Sequence, residues 1–489
     1  MSTLTALARA QAAAEGRAVR IATVRHLHLH DRPLMLIPLA MAGEANAPLA
    51  AMVGSSRTEP RLLVVPQPRN RDQRFAFVAS LADIVLAYVD GCTGAAEPIA
   101  VDRGRDVRMR FVDAPQVWVP NPSGVEFLRL LGRSTRFRTI DGEYPVPPAV
   151  PLLGRWATFF ATSAELPGSS LLVAATQALG LHWATGQSSV EDAHLAAQVA
   201  WIDPPPGVPA ARAARLVEDP AHTPPAGPAT DPDFDNTVLA PLITAYGAEP
   251  VAARLDELTA AVRSQLEPTW RLLWQAWDLL RDLPPGSRVG GRWDADRDAF
   301  SGFVHHLADG GPPQPRHDGA VAAAARLHRL ESAAARYAVQ RAFDDPLVMA
   351  EHRLTGEAFT GTVTLAKADR IDDTGRRPVL RPRIMVVTTE AVRVEPGAAL
   401  TSPSRPGQKA TVISVTVAPG PKAEVLLELS GGMGRRLVAE PGTVPEVGER
   451  LLLTTLSEAY RPGGAFPDPE QTPWTHGGPP VPAAAQGTG

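Results

Sequence analysis

The chain has 489 residues, 44% of them hydrophobic and 20% charged, with a formal net charge of −4. That length exceeds what one core ordinarily fills, so about two to four domains are expected, and the weak charge gives no global signature of nucleic-acid or membrane binding. Cys92 is the sole cysteine, which excludes an intrachain disulfide framework and a multi-cysteine zinc site and suits a reducing compartment.

The only lysines are Lys367, Lys409 and Lys422, and none follows a glycine. A P-loop needs G-x-x-x-x-G-K-[ST] because its ammonium must reach the terminal phosphates, so that class of NTPase is excluded. The protein-kinase pattern and the G-x-S-x-G nucleophile elbow are absent as well.

The N-terminus, "MSTLTALARAQAAAEGRAVR", reads as a short alanine-rich helix without the apolar core of a signal peptide. From about 17 to 150 the pattern is α/β. Strands are predicted at "VRIATVRHLHLH", "RPLMLIPLAMAG", "PLAAMVGS" and "RLLVVPQP", with "GEANAP" as a turn. A helix follows within "RNRDQRFAFVASLADIVLAYVDG", with Asp72 as N-cap and Gly91 as stop. "DVRMRFVDA" is predicted as a strand with Arg108 and Arg110 on one face and Val107, Met109 and Phe111 on the other.

From 151 to 350 the periodicity is helical. "GSSLLVAATQALGLHWATG" and "SSVEDAHLAAQVAWID" are predicted as consecutive helices, Ser188 and Glu191 having capping-box spacing. The first is too short, and too interrupted by Gln177 and His182, to span a bilayer. A proline- and acid-rich connection near 203–236 is expected to be exposed. In the next long helix, Leu255, Leu258, Val262 and Leu266 form a stripe that continues as Trp270, Trp274 and Trp277 after Pro268, which is expected to start a second segment. The alanine-rich stretch "DGAVAAAARLHRLESAAARYAVQRAFDDP" is expected to pack against those tryptophans as a long antiparallel helix pair. Over 351–460 the period becomes two, and "AFTGTVTLAKAD", "RPRIMVVTT", "KATVISVTV", "AEVLLELS", "RRLVAE" and "ERLLLTTL" predict a small antiparallel β-barrel of OB or SH3-like kind. Residues 461–489 read as a disordered Pro/Gly-rich tail. The expected fold class is therefore multidomain α+β: an α/β domain over 1–150, a helical region over 151–350, and the barrel.

Three groups of residues invite chemistry. His26, His28 and His30 would share one face of a strand, with Asp31 beside them. Adjacent members would lie roughly 6.5–7 Å apart, close enough for two to chelate one ion, whereas the outer pair at about 13 Å would not. His26, His28 and Asp31 are thus the metal candidates, against a plain half-exposed polar face. Arginines form the second group: Arg69, Arg71 and Arg74 follow a strand where α/β folds often place ligands, Arg108 and Arg110 lie nearby, and Arg376, Arg377, Arg381 and Arg383 sit on the barrel. These are candidates for phosphate or nucleic-acid binding. Trp270, Trp274 and Trp277 form the third, as core or as a partner interface. Asp294, Asp296 and Asp298 imitate the start of an EF-hand, but Ala299 and His305 occupy its glycine and glutamate positions. Asp231, Asp233 and Asp235 read as turns and a helix cap.

The leading expectation is a cytoplasmic, non-catalytic accessory protein with no cofactor and no membrane partner. It would bind DNA or RNA, a partner protein through its helical region, or both, in company with nucleic-acid-processing machinery. The alternatives are a metal-dependent hydrolase or nuclease built on His26, His28 and Asp31, and a structural assembly subunit.

Overall fold

The computed structural model describes residues 2–41, 47–101, 104–220, 223–417, 422–434 and 436–458. The turn expected around 43–46 and the tail expected from 461 lie outside these residues. Those described fall into two compact units, one within Thr5–Ala334 and one within residues 335–458 together with 2–4. The architecture is mixed helix and sheet, and no described helix is long and apolar enough to cross a membrane.

The larger unit is built on a five-stranded mixed sheet. Its strands are β1 (Leu34–Ala40), β2 (Pro48–Gly54), β3 (Arg61–Val64), β4 (Val117–Val119) and β5 (Leu172–Ala174), in spatial order β3-β2-β1-β4-β5. The β1–β2 and β2–β3 pairs are antiparallel, while β1–β4 and β4–β5 run parallel. Their continuous apolar runs are explained by burial on both faces. Leu34, Leu36, Val53, Val117 and Val119 point into one core; Met35, Ile37, Met52 and Trp118 point into the other. Period two therefore divides each strand between two helical layers.

The first layer contains α1 (Arg71–Gly91), α2 (Pro122–Thr135), α3 (Ala149–Ser163) and α4 (Val289–Ala308). The Asn70 side chain, rather than Asp72, caps α1 by accepting from the Asp72 and Gln73 N–H groups. The second layer contains α5 (Leu195–Ile202) and the 30-residue α6 (Ala252–Arg281). Pro268 does not divide α6, which runs through it. Trp270, Trp274 and Trp277 are buried against the sheet. Their expected neighbour, α7 (Ala320–Asp344), buries only Val339 and Ala342. The second apolar face of β1 and β2 offers α6 more apolar area than alanine side chains could, so the tryptophans pack there.

Three further expectations are corrected. Only Val19–Arg20 of the histidine stretch pairs as a strand, with Trp183–Ala184. "LLVA" is not helical: it enters the sheet edge as β5, beside the "VWV" of β4 that sequence periodicity missed. The acidic connection contains a helix, Ala210–Val217, whose alanines pack on Trp201. The capping box does form, Ser188 and Glu191 each accepting from the other's backbone N–H, and Asp231 caps its own turn.

In the smaller unit, six antiparallel strands make a nearly closed barrel: β6 (Ala358–Lys367), β7 (Arg383–Thr388), β8 (Ala399–Leu400), β9 (Lys409–Val417), β10 (Ala423–Ser430) and β11 (Arg450–Thr454). Their order is β8-β9-β10-β7-β6-β11, and reciprocal bonds of 2.8 and 3.0 Å between Thr401 and Thr454 join the two ends. Phe359, Val363, Ile384, Val386, Val425 and Leu427 fill the interior. "RRLVAE" contributes no strand among its described residues.

Candidate functional site

The histidine stretch is an extended segment whose backbone is held by side chains instead of a neighbouring strand. The His26 N–H donates to His182 Nε2 at 3.0 Å, the His28 N–H to Ser170 Oγ at 3.1 Å, and the His30 N–H to Gln116 Oε1 at 3.0 Å. Arg292 donates to the His26 carbonyl and Gln116 Nε2 to that of His28. Alternate residues Leu27 and Leu29 enter the second core. Buried backbone groups must find partners, and here three loop residues and Arg292 of α4 supply them one at a time.

The imidazoles consequently face different neighbours. His26 lies against His182, with ring centres 5.4 Å apart, and His28 stacks on Trp293 at 4.0 Å. Burial first, then the charges of His30 and Arg25, pushes His28 down to about 4. Asp31 is exposed. Among the described residues, His26, His28 and Asp31 do not converge as metal ligands; the one group of three potential ligand atoms within 4.8 Å of one another is His30, Cys92 and Asp113.

That group does not fit a metal either. The Arg32 N–H donates to His30 Nδ1 at 2.9 Å, so the ring proton sits on Nε2 and is donated to Asp113 at 2.8 Å. An ion at Nε2 would need that lone pair and would leave Nδ1–H facing the Arg32 N–H. Burial raises the Asp113 carboxyl, but the His30 hydrogen bond and charge outweigh it and hold it below its ordinary value. Burial, with the Asp113 charge, pushes the Cys92 thiol up to about 12, so it is not an activated nucleophile. The same network ends at Asp296, which accepts from the Ser169 hydroxyl at 2.7 Å and the Ser170 N–H at 2.6 Å. Burial pushes Asp296 up to about 7 against those bonds and the Arg292 charge.

The arginine groups separate into spent and available cations. Arg108 and Arg110 lie on a hairpin, Ala96–Val101 with Asp106–Phe111, whose polarity is the reverse of that expected. Arg110 pairs with Glu97 at 2.6 Å and Arg108 with Asp298 at 2.9 Å, facing α4, while Val107 and Met109 are 63% and 48% exposed. On the barrel Arg383 pairs with Glu428 at 3.0 Å, and Arg381 donates to the Leu380 carbonyl. Arg376 and Arg377 stay exposed on the turn between Ile371–Asp372 and Val379–Leu380.

Around Arg71 the picture differs. The Arg71 guanidinium lies 4.8 Å from the Phe75 ring centre and 5.8 Å from Tyr144, and donates to the Tyr144 carbonyl at 2.9 Å. Arg138 covers the same Phe75 ring at 5.5 Å. Next to them, Arg136 and Arg316 lie 4.8 and 4.9 Å from Phe137. Burial first, then the charges of Arg133 and Arg316, lowers Arg136. Among the described residues Arg133, Arg138 and Arg316 form no salt bridge, and Arg71 has Asp72 at 3.1 Å. Asp141 and Glu143 are the acids of the adjoining loop. Phe137 and Tyr144 are 36% and 64% exposed. Arg74 lies in the first turn of α1 and Arg69 just precedes its N-cap Asn70.

No protein-family model, curated protein or solved structure matches this chain.

Two glycines set the face in place. A Cβ on Gly154 of α3 would lie 2.4 Å from the Arg136 nitrogen, and one on Gly132 of α2 would lie 2.4 Å from Thr158 Oγ1. The helices cross this closely only because neither residue has a side chain, and the crossing delivers "RSTRFR" to the surface. Sequence reading reached Arg69, Arg71 and Arg74 but missed Arg133, Arg138, Arg316, Phe137 and Tyr144. The alternation Arg136-Phe137-Arg138 was the signal available for them. The tryptophans are core: Trp270 Nε1 donates to the Arg57 carbonyl, and Arg57 closes over Trp274 at 4.7 Å while pairing with Asp278.

Proposed function

We propose that the protein is a non-catalytic accessory factor that binds single-stranded DNA or RNA on the face formed by Arg71, Arg133, Arg138, Arg316, Phe137 and Tyr144. One observation carries the reading: Arg138 and Arg316, which form no salt bridge among the described residues, and Arg71, whose carboxylate partner is the exposed Asp72, lie against aromatic rings, and Phe137 and Tyr144 of this face are open to solvent. Phosphates answer the first and unstacked bases the second, which is the chemistry of single-strand grooves. Rings and cations hold a strand; they do not break a bond. A cytoplasmic location and company with nucleic-acid-processing machinery belong to the same proposal.

Fluorescence anisotropy with a labelled 20-nucleotide single strand and its duplex tests it. The expected result is tighter binding of the single strand at low salt. Combined Arg133→Glu, Arg138→Glu and Arg316→Glu substitution should weaken binding at least about tenfold, since each lost phosphate contact weakens it and each new carboxylate repels. Arg376→Glu with Arg377→Glu should weaken it less. An unchanged triple variant, or no binding by the native chain at 50 mM salt, overturns the proposal.

A further inference from the structure

A second site lies elsewhere in the larger unit. The helix Ala210–Val217, α5, α6 and the Pro204–Pro206 loop enclose a cleft of about 550 Å³. Val199, Ala200, Val208, Leu216, Pro268 and Leu272 form much of its wall. This volume falls within the range of small-molecule sites, and such sites pair an apolar body with few polar anchors. Polar residues on the wall are Arg271, Asp203, Gln275 and Thr223. Asp203 is already engaged, accepting from Gln275 Nε2 at 2.8 Å. Arg271 is exposed and makes no hydrogen bond, ion pair or ring contact with any described residue.

We propose that this cleft binds an apolar monocarboxylate, with its hydrocarbon part among Val199, Leu216 and Leu272 and its carboxylate on Arg271. Charge complementarity decides the class. Among the described residues the guanidinium is the one uncommitted charge on the wall, and its planar fork matches a carboxylate. The Asp203 carboxylate disfavours a second anionic group, which sets dicarboxylates aside. The proposal is independent of the arginine–aromatic face, and its test leaves that face intact.

Isothermal titration with octanoate, octanol and octylamine distinguishes the anchors. Octanoate should bind about tenfold or more tighter than octanol, because a charge-assisted bond is worth roughly a factor of ten to a hundred. Lengthening octanoate to decanoate should tighten binding by up to about fourfold per methylene while cavity remains to be filled. Arg271→Gln should reduce octanoate to the affinity of octanol, with oligonucleotide binding and melting temperature unchanged. Leu216 is half-exposed, so Leu216→Glu should preserve the fold and abolish binding of octanoate and octanol alike. Equal affinity for octanoate and octanol, tighter binding of octylamine, an unaffected Arg271→Gln variant, or no octanoate binding would each overturn the proposal.

Discussion

Asp296 carries the clearest consequence at the scale of one residue. Its carboxyl is buried at 4% exposure and held by Ser169 and Ser170, and burial raises it to about 7 from an ordinary 3.8. For an acid raised on folding, the contribution to stability is complete below pH 3.8 and is lost as pH climbs through 7, because only the unfolded chain ionises freely in between. The loss across that window is up to about 4 kcal/mol, at about 1.4 kcal/mol per unit. Asp296→Asn, with its amide turned to donate to Ser169 and accept from Ser170, should flatten this dependence. Thermal melts at pH 5 and pH 8 would show the variant closer to wild type at the lower pH and more stable at the higher. Neither Asp296 nor the histidine segment was legible in this role. The alternation of His26, Leu27, His28, Leu29 and His30 was plain, but the groups that satisfy those backbone N–H atoms lie 156, 142 and 86 positions away. Periodicity reports which side a residue faces, not what meets it there.

Between elements, close approach and large apolar side chains decide the outcome. Gly154→Ala should press a methyl on the Arg136 backbone and cost about 1–3 kcal/mol, read as a shift in the denaturant midpoint, with weaker oligonucleotide binding as α2 moves. Trp270→Ala should cost about 3–5 kcal/mol by emptying the space between α6 and the sheet, and Trp270→Phe much less. The strands over Leu34–Ala40, Pro48–Gly54 and Arg61–Val64 and the α1 helix were readable because their apolar pattern is local and long. "VWV" and "LLVA" were not, since three-residue strands carry no periodicity and exist through their parallel neighbours. The reversed hairpin escaped for a related reason. Ion pairs with Glu97 and Asp298 turn Arg110 and Arg108 inward, against the ordinary preference that reads Val107 and Met109 as core.

For the whole molecule, a net charge of −4 means that attraction to a polyanion must be local. Binding through four to six guanidiniums should give a log K against log salt slope of about −3 to −4, near −0.7 per phosphate for single strands. A slope near zero would mean that the cations are not used. The barrel was legible as a class from its spaced strands, whereas the arginine–aromatic face depends on α1, α2 and residues near 316 meeting in space, which no window of sequence contains. Cys92 offers a final use of its position. It is the chain's only thiol, 6% exposed, at the end of α1 beside Tyr88 and Asp113. A thiol reagent can therefore modify the molecule at a single atom, and only when that corner opens. The labelling rate in native buffer becomes a built-in clock for local breathing, and the mass added by one adduct reports it without any engineered probe.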